Sequence, residues 1–144
     1  MTSRFDGFTE LARQVLTLAQ TEAIGFDHDY IGAEHILLGL AEQDECVAAK
    51  VLSELGVAPA AVRTAIGFVV GRGDATELRD DLGLTPRAER ALQIAADEAG
   101  QDGVGTEHLL LGLVREGSNI AAGVLAELGV DIDGVRGASA IQRN

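Results

Sequence analysis

Apolar residues in this chain recur at spacings of three and four in short blocks, and no segment holds a period of two. Leu11, Val15, Leu18 and Ala19 share one helical face. Thr9 precedes that block as a candidate N-cap, and Gly25 stands where the helix can stop. Ile36, Leu37, Leu38 and Leu40 predict a second helix, short and mostly buried. Val47, Ala48, Val51, Leu52 and Leu55 predict a third, with Asp44 as its cap and Gly56 as its stop. Ala60 to Val70 predicts a fourth. The series then repeats. Thr85-Pro86 opens the fifth helix with a proline whose φ is preset and whose missing N–H costs nothing at that position. Asp131 opens the last. The pattern predicts an all-α fold of eight helices, four per copy.

The copies are internal duplicates. EHILLGLAEQDECVAAKVLSELGVAPAAVR (34–63) aligns without a gap on EHLLLGLVREGSNIAAGVLAELGVDIDGVR (107–136), identical at 16 of 30 positions. Upstream, Thr9 pairs with Thr85 and Ala19 with Ala95, so the offset changes from 76 to 73. The second copy has therefore lost three residues between Glu98 and Glu107. The predicted organisation is one domain, an eight-helix bundle of two pseudo-twofold-related four-helix repeats. Repeat one spans 5–71, a glycine-flanked polar linker spans 72–83, and repeat two spans 84–141.

Composition narrows the function. The 144 residues are 47% hydrophobic, enough for a real core. Lys plus Arg total 11 against 23 Asp plus Glu, a formal charge of -12. That balance argues against nucleic acid or an anionic membrane as partner. It allows attraction of basic or arginine-bearing polypeptides. Aromatics are 3%, too few for a stacking platform. Cys46 is the single cysteine, which points to a reducing compartment. The start, MTSRFDGFTE, has no apolar signal core, and no 18-residue apolar run occurs. The expectation is a cytoplasmic protein.

Catalytic motifs do not surface. There is no G-x-x-x-x-G-K-[ST], no H-E-x-x-H and no G-x-S-x-G. His35 and His108 each follow a glutamate, and neighbours on a helix point about 100° apart, a poor chelate. Each imidazole is expected to bond at a helix start. Cys46 is expected as a helix-start or core thiol. A hydrolase using Cys46 or a Glu-His pair would rest on residue availability alone. The expectation is a non-enzyme with no metal and no cofactor. Ala48-Ala49 and Ala121-Ala122 read as close helix packing.

The strings YIGAEHILLGL (30–40) and GTEHLLLGL (105–113), with FTELAR (8–13) and LTPRA (84–88), resemble the double-repeat N-terminal domain of Clp/Hsp100 chaperones, most closely the ClpC type. The resemblance covers about Phe5 to Val135. It implies the same eight-helix bundle and a substrate- or adaptor-recognition role. The bound proteins would be passed to a Clp ATPase ring, in cis or in trans, and on to a peptidase chamber. The alternative it leaves is a free-standing relative without ATPase modules, sequestering adaptors or cyclic peptides that target such domains.

The resemblance also implies phosphoarginine recognition. A carboxylate accepts from the guanidinium, and a helix N-terminus takes the phosphate. The family's positions map to Thr9 with Glu34, and to Thr85 with Glu107. Arg87 keeps the arginine of T-x-R-A in the second copy. The first copy has Leu11 there, with Arg13 nearby. Glu89 stands where relatives carry a cation. Thr9 and Thr85 also read as plain N-caps, which is compatible with binding. Phe5 and Phe8 are candidate anchors for a peptide, with core packing the competing reading for Phe8.

Overall fold

The computed structural model describes residues 5–73 and 82–143. In chain order the elements are α1 (Glu10–Gly25), β1 (Tyr30–Ile31), α2 (Ala33–Glu42), α3 (Val47–Glu54), α4 (Pro59–Val70), β2 (Gly83–Leu84), α5 (Pro86–Ala99), α6 (Thr106–Glu116), α7 (Ile120–Glu127) and α8 (Ile132–Arg143). All eight predicted helices form. Most of the predicted linker, residues 74–81, lies outside the described residues.

The helix starts follow the chemistry of their caps. Thr9 Oγ1 accepts the Ala12 N–H at 3.2 Å, and Thr85 Oγ1 accepts the Ala88 N–H at 3.2 Å. Asp131 Oδ1 accepts the Gly134 N–H at 2.7 Å, as expected of it. Asp44 does not cap α3. Cys46 does, its Sγ 3.4 Å from the Ala49 N–H it accepts. The chain turns into α3 two residues later than the aspartate. The thiol is fully buried and also donates to the Leu40 carbonyl at 3.5 Å. It is both helix-start and core, and a hydrogen-bonded buried thiol is poorly placed as a nucleophile.

Two short pairings overturn the expectation of a strand-free chain. β1 pairs with β2 in parallel, Tyr30 opposite Gly83 and Ile31 opposite Leu84. An isolated parallel bridge joins Phe8 to Val104. Two residues are too few to show a period in sequence. The pairings are also exchanged between repeats. Leu84, which precedes α5, bonds beside the segment entering α2. Phe8, which precedes α1, bonds beside the segment entering α6.

α2 and α6 form the centre. Every residue of α2 from Ala33 to Ala41 is buried, as is every residue of α6 from Thr106 to Leu113. Each fully buried leucine here contributes roughly 1.5–3 kcal/mol. α1 lies on α2 and α5 on α6 at very short range. A Cβ on Gly39 would sit 2.6 Å from the Val15 carbonyl oxygen. Further packings cross between the repeats: α3 meets α8 and α6, and α4 meets α7. Ala48 and Ala121, both 0% exposed, are close-packed as expected. Thr106 extends this across the repeats, its Oγ1 accepting the Ala48 N–H at 3.1 Å.

The duplicates diverge in their charges. In repeat one, Arg63 lies between Glu22 at 2.6 Å and Glu42 at 3.0 Å. In repeat two, at the equivalent three positions, Glu98 lies between Arg136 at 2.7 Å and Arg115 at 3.1 Å. The hydrogen bond from Arg136 holds the Glu98 carboxyl below the usual range. The core diverges once as well. Ile66 is fully buried, and its counterpart is Ser139. The Ser139 hydroxyl is the one buried side-chain polar atom among the described residues without a partner. Ser139→Ala is expected to stabilise the fold by about 1 kcal/mol, because it removes an unsatisfied hydroxyl. A urea midpoint that falls instead would mean the hydroxyl is satisfied.

Candidate helix-start binding sites

The two candidate sites were expected at the starts of α1 and α5, each with a glutamate of its own repeat. The helix directions rule out that pairing. Gly39 lies against Val15 and Ala19, and Gln43 bonds Gln14 at 2.8 Å. α2 therefore runs antiparallel to α1. Its start, with Glu34, is at the far end of α1 from Thr9. A rise of about 1.5 Å per residue puts them roughly 15 Å apart or more.

The exchanged strands supply the other glutamate. The Thr9 N–H donates to the Val104 carbonyl at 2.9 Å, three residues before Glu107. The Thr85 N–H donates to the Ile31 carbonyl at 3.0 Å, three residues before Glu34. So the α1 start adjoins the α6 start, and the α5 start adjoins the α2 start. Thr9 belongs with Glu107, and Thr85 with Glu34. Sequence offsets alone carry no information about such an exchange.

Both glutamates are buried, Glu34 at 4% exposure and Glu107 at 8%. Their carboxylates fold back over the glycine two residues earlier. A Cβ on Gly32 or on Gly105 would overlap the Glu34 or Glu107 Oε1. The histidines that follow brace the same turns, as expected of them. His35 Nδ1 accepts the Gly32 N–H at 2.9 Å, and His108 Nδ1 accepts the Gly105 N–H at 2.9 Å. Tyr30, not singled out from sequence, lies beside the Glu34 carboxylate. Burial foremost, and then the Glu34 charge, raise the Tyr30 phenol above its ordinary pKa. The aligned position in repeat two is Gly103, so the two sites differ.

The arginines have partners of their own. Arg87 Nη1 donates to the Ser118 carbonyl at 2.8 Å; hydrogen bonds from Ser118 and Asn119, with the Arg87 charge adding to them, outweigh burial and hold the Glu116 carboxyl below its usual range. Arg13 is exposed and pairs with Glu10 at 3.6 Å. Phe8 is 9% exposed and belongs to the core, the reading that competed with its role as a peptide anchor. Its ring packs on Phe5 with centroids 5.2 Å apart. Phe5 is half-buried and lines a groove of about 390 Å³ with Arg13, Leu16, Ile31 and Leu84. No three His, Cys, Asp or Glu side chains converge into a metal-binding group among the described residues. Among them, no single helix is long and apolar enough to cross a membrane.

Comparison with known proteins gives these features a family. Residues 7–103 and 93–142 match the family described as Clp repeat (R) N-terminal domain. The chain is 45% identical over 135 residues to the negative regulator of genetic competence ClpC/MecB of Bacillus subtilis (strain 168). The match covers 92% of the chain and 16% of that protein. It is 43% identical over 137 residues to the chloroplastic chaperone protein ClpC2 of Oryza sativa subsp. japonica, covering 93% of the chain and 15% of the relative. The chain thus spans about a sixth of the length of these curated relatives. The N-terminal domain of ClpD from Arabidopsis thaliana superposes with a TM-score of 0.77 at 20% identity, over 98% of this chain and 97% of that one. The ClpV N-domain solved in complex with a VipB peptide does so with a TM-score of 0.69 at 16% identity, over 96% and 88%. Duplicated sequence, eight-helix fold and family match agree: the chain belongs to the Clp repeat N-terminal domain family.

Proposed function

We propose that this chain is a non-catalytic recognition domain that binds adaptor or substrate proteins for a Clp ATPase ring, and that phosphoarginine is one mark it reads. The observation that carries the reading is the pair of composite helix starts. Each brings a threonine-capped helix N-terminus beside the turn that holds a buried glutamate. The first N–H groups of a helix have no intrahelical partner and bear partial positive charge, which suits a phosphate. A carboxylate beside them suits the guanidinium N–H groups. Relatives at 45% and 43% identity are named as ClpC proteins, and a ClpV N-domain of this fold was solved in complex with a peptide. The chain's charge of -12 opposes a phosphate at long range, but salt screens that beyond about 8 Å. Recognition must then be local.

Calorimetry with free phosphoarginine tests the reading. Two binding events are expected. Glu34→Gln should weaken one and Glu107→Gln the other. Each loses a charged hydrogen bond worth about 1.5–3 kcal/mol, or one to two decades of affinity. Thr85→Ala should weaken the event that Glu34→Gln weakens. No heat from the wild type, or unchanged binding in the double glutamine variant, would sink the phosphoarginine reading. Adaptor recognition would survive it.

A further inference from the structure

Repeat one contains a hydrogen-bonded chain with fixed proton positions. The Gly32 N–H donates to His35 Nδ1 at 2.9 Å. His35 Nε2 and His28 Nδ1 are 2.8 Å apart. His28 Nε2 is 3.0 Å from the Gly71 carbonyl oxygen. A backbone N–H only donates, so His35 Nδ1 carries no proton and its Nε2 does. That N–H donates to His28 Nδ1. His28 then carries its proton on Nε2 and donates it to Gly71, which only accepts. Both rings are neutral, and both are buried, His28 at 7% and His35 at 0% exposure. In repeat two, the three-residue loss leaves no histidine between Glu98 and Gly105.

An added proton has no acceptor to meet. On His35 Nδ1 it would oppose the Gly32 N–H. On His28 Nδ1 it would oppose the His35 N–H. Changing the His35 tautomer only returns the conflict to Gly32. Every protonation therefore breaks at least one of the three bonds.

Those bonds hold separate segments together. Gly71 begins a strap that leaves α4. The Gly73 N–H donates to the Phe26 carbonyl at 2.7 Å, and Arg72 pairs with Asp27 at 2.7 Å. A Cβ on Gly73 would strike the Asp27 carbonyl oxygen and lie 2.6 Å from His28 Cδ2, so the strap lies directly on the ring. At the other end, Gly32 joins β1 to α2. We infer that His28 and His35 form a proton-operated clasp. It ties the chain leaving α4 to the turn after α1 and to the start of α2, and it opens when the pair takes up a proton.

The surrounding groups do not offset that charge. Glu22 of α1 is paired with Arg63 of α4. In the turn, Asp27 is paired with Arg72, and Asp29 is exposed. Tyr30 of β1 stacks on His28 at 5.0 Å and engages Glu34 of α2. Phe26 also stacks against His28, at 5.7 Å. Burial, with His28 adding to it, lowers the His35 pKa to about 4. The unfolded value is near 6.5. The contribution to stability is therefore present above pH 6.5 and is lost as pH falls from there towards 4.

The clasp rests on these bonds alone and goes beyond the ligand reading above. Amide exchange of the intact chain at pH 7 and pH 5, expressed as protection factors, tests it. Once the clasp opens, a freed histidine titrates near 6.5, so the open population rises roughly twentyfold over that interval. Gly32 and Gly73 are expected to lose protection by that factor, while Leu110 in α6 keeps its own. Unchanged protection at Gly32 and Gly73 would overturn the clasp. So would His35 titrating near 6.5 in the folded wild type.

Discussion

Gly112→Ala is expected to destabilise the fold by about 3 kcal/mol or more, although alanine is the better helix former. Gly112 lies inside α6, where it meets α5. A Cβ there would overlap the Ala91 carbonyl oxygen and lie 3.1 Å from the Ala95 nitrogen. Both are backbone atoms of a helix, so no side-chain rotation relieves the clash. The helices must separate, and the leucines of α6 lose contacts in a densely packed core. Gly39→Ala should behave alike, its Cβ meeting the Val15 carbonyl at 2.6 Å. Gly67→Ala in α4 and Gly123→Ala in α7 are the controls. Nothing lies within 4 Å of a Cβ at either position. They are expected to gain roughly 0.5–1 kcal/mol from helix propensity and a less flexible unfolded chain. Urea unfolding of the four variants measures the contrast. Equal effects at all four would show that α1–α2 and α5–α6 are not at backbone contact.

A chain cut after Gly73 is expected to lack a cooperative unfolding transition, despite holding one complete sequence repeat. Its buried faces are completed by the other half. α3 needs α8 and α6, α4 needs α7, and the Ala48 N–H needs the Thr106 hydroxyl. β1 has its partner in β2. Exposing those faces costs roughly 1.5–3 kcal/mol for each large apolar side chain, against a fold of about 70 residues that is marginal even when intact. Circular dichroism in urea measures this, and mixing the two halves should restore the transition. Native helicity with a sharp transition in the first half alone would overturn the expectation.

Periodicity and capping chemistry predicted these elements well because they are local. Thr9, Pro86, Gly56 and Asp131 act within a turn of their own position, so their neighbours in sequence suffice. The α3 cap was assigned to Asp44 because aspartate is the commoner capping residue, and the buried contact that favours the Cys46 thiol comes from Leu40 on another helix. The exchanged strands were missed for a different reason. A two-residue strand has no period, and its partner is set by how the repeats pack. The sites depend on that exchange, so the resemblance paired Thr9 with Glu34 inside one repeat although the fold holds them apart. Tyr30 sat unremarked inside the string that carries the resemblance. Its role beside Glu34 depends on a buried turn that only the folded chain displays.

The crossed bonds from Thr9 to Val104 and from Thr85 to Ile31 also gear the molecule. Each cleft has one wall in each repeat, and the walls are related by the same pseudo-twofold. Either repeat on its own therefore holds one wall of each composite helix start and completes neither.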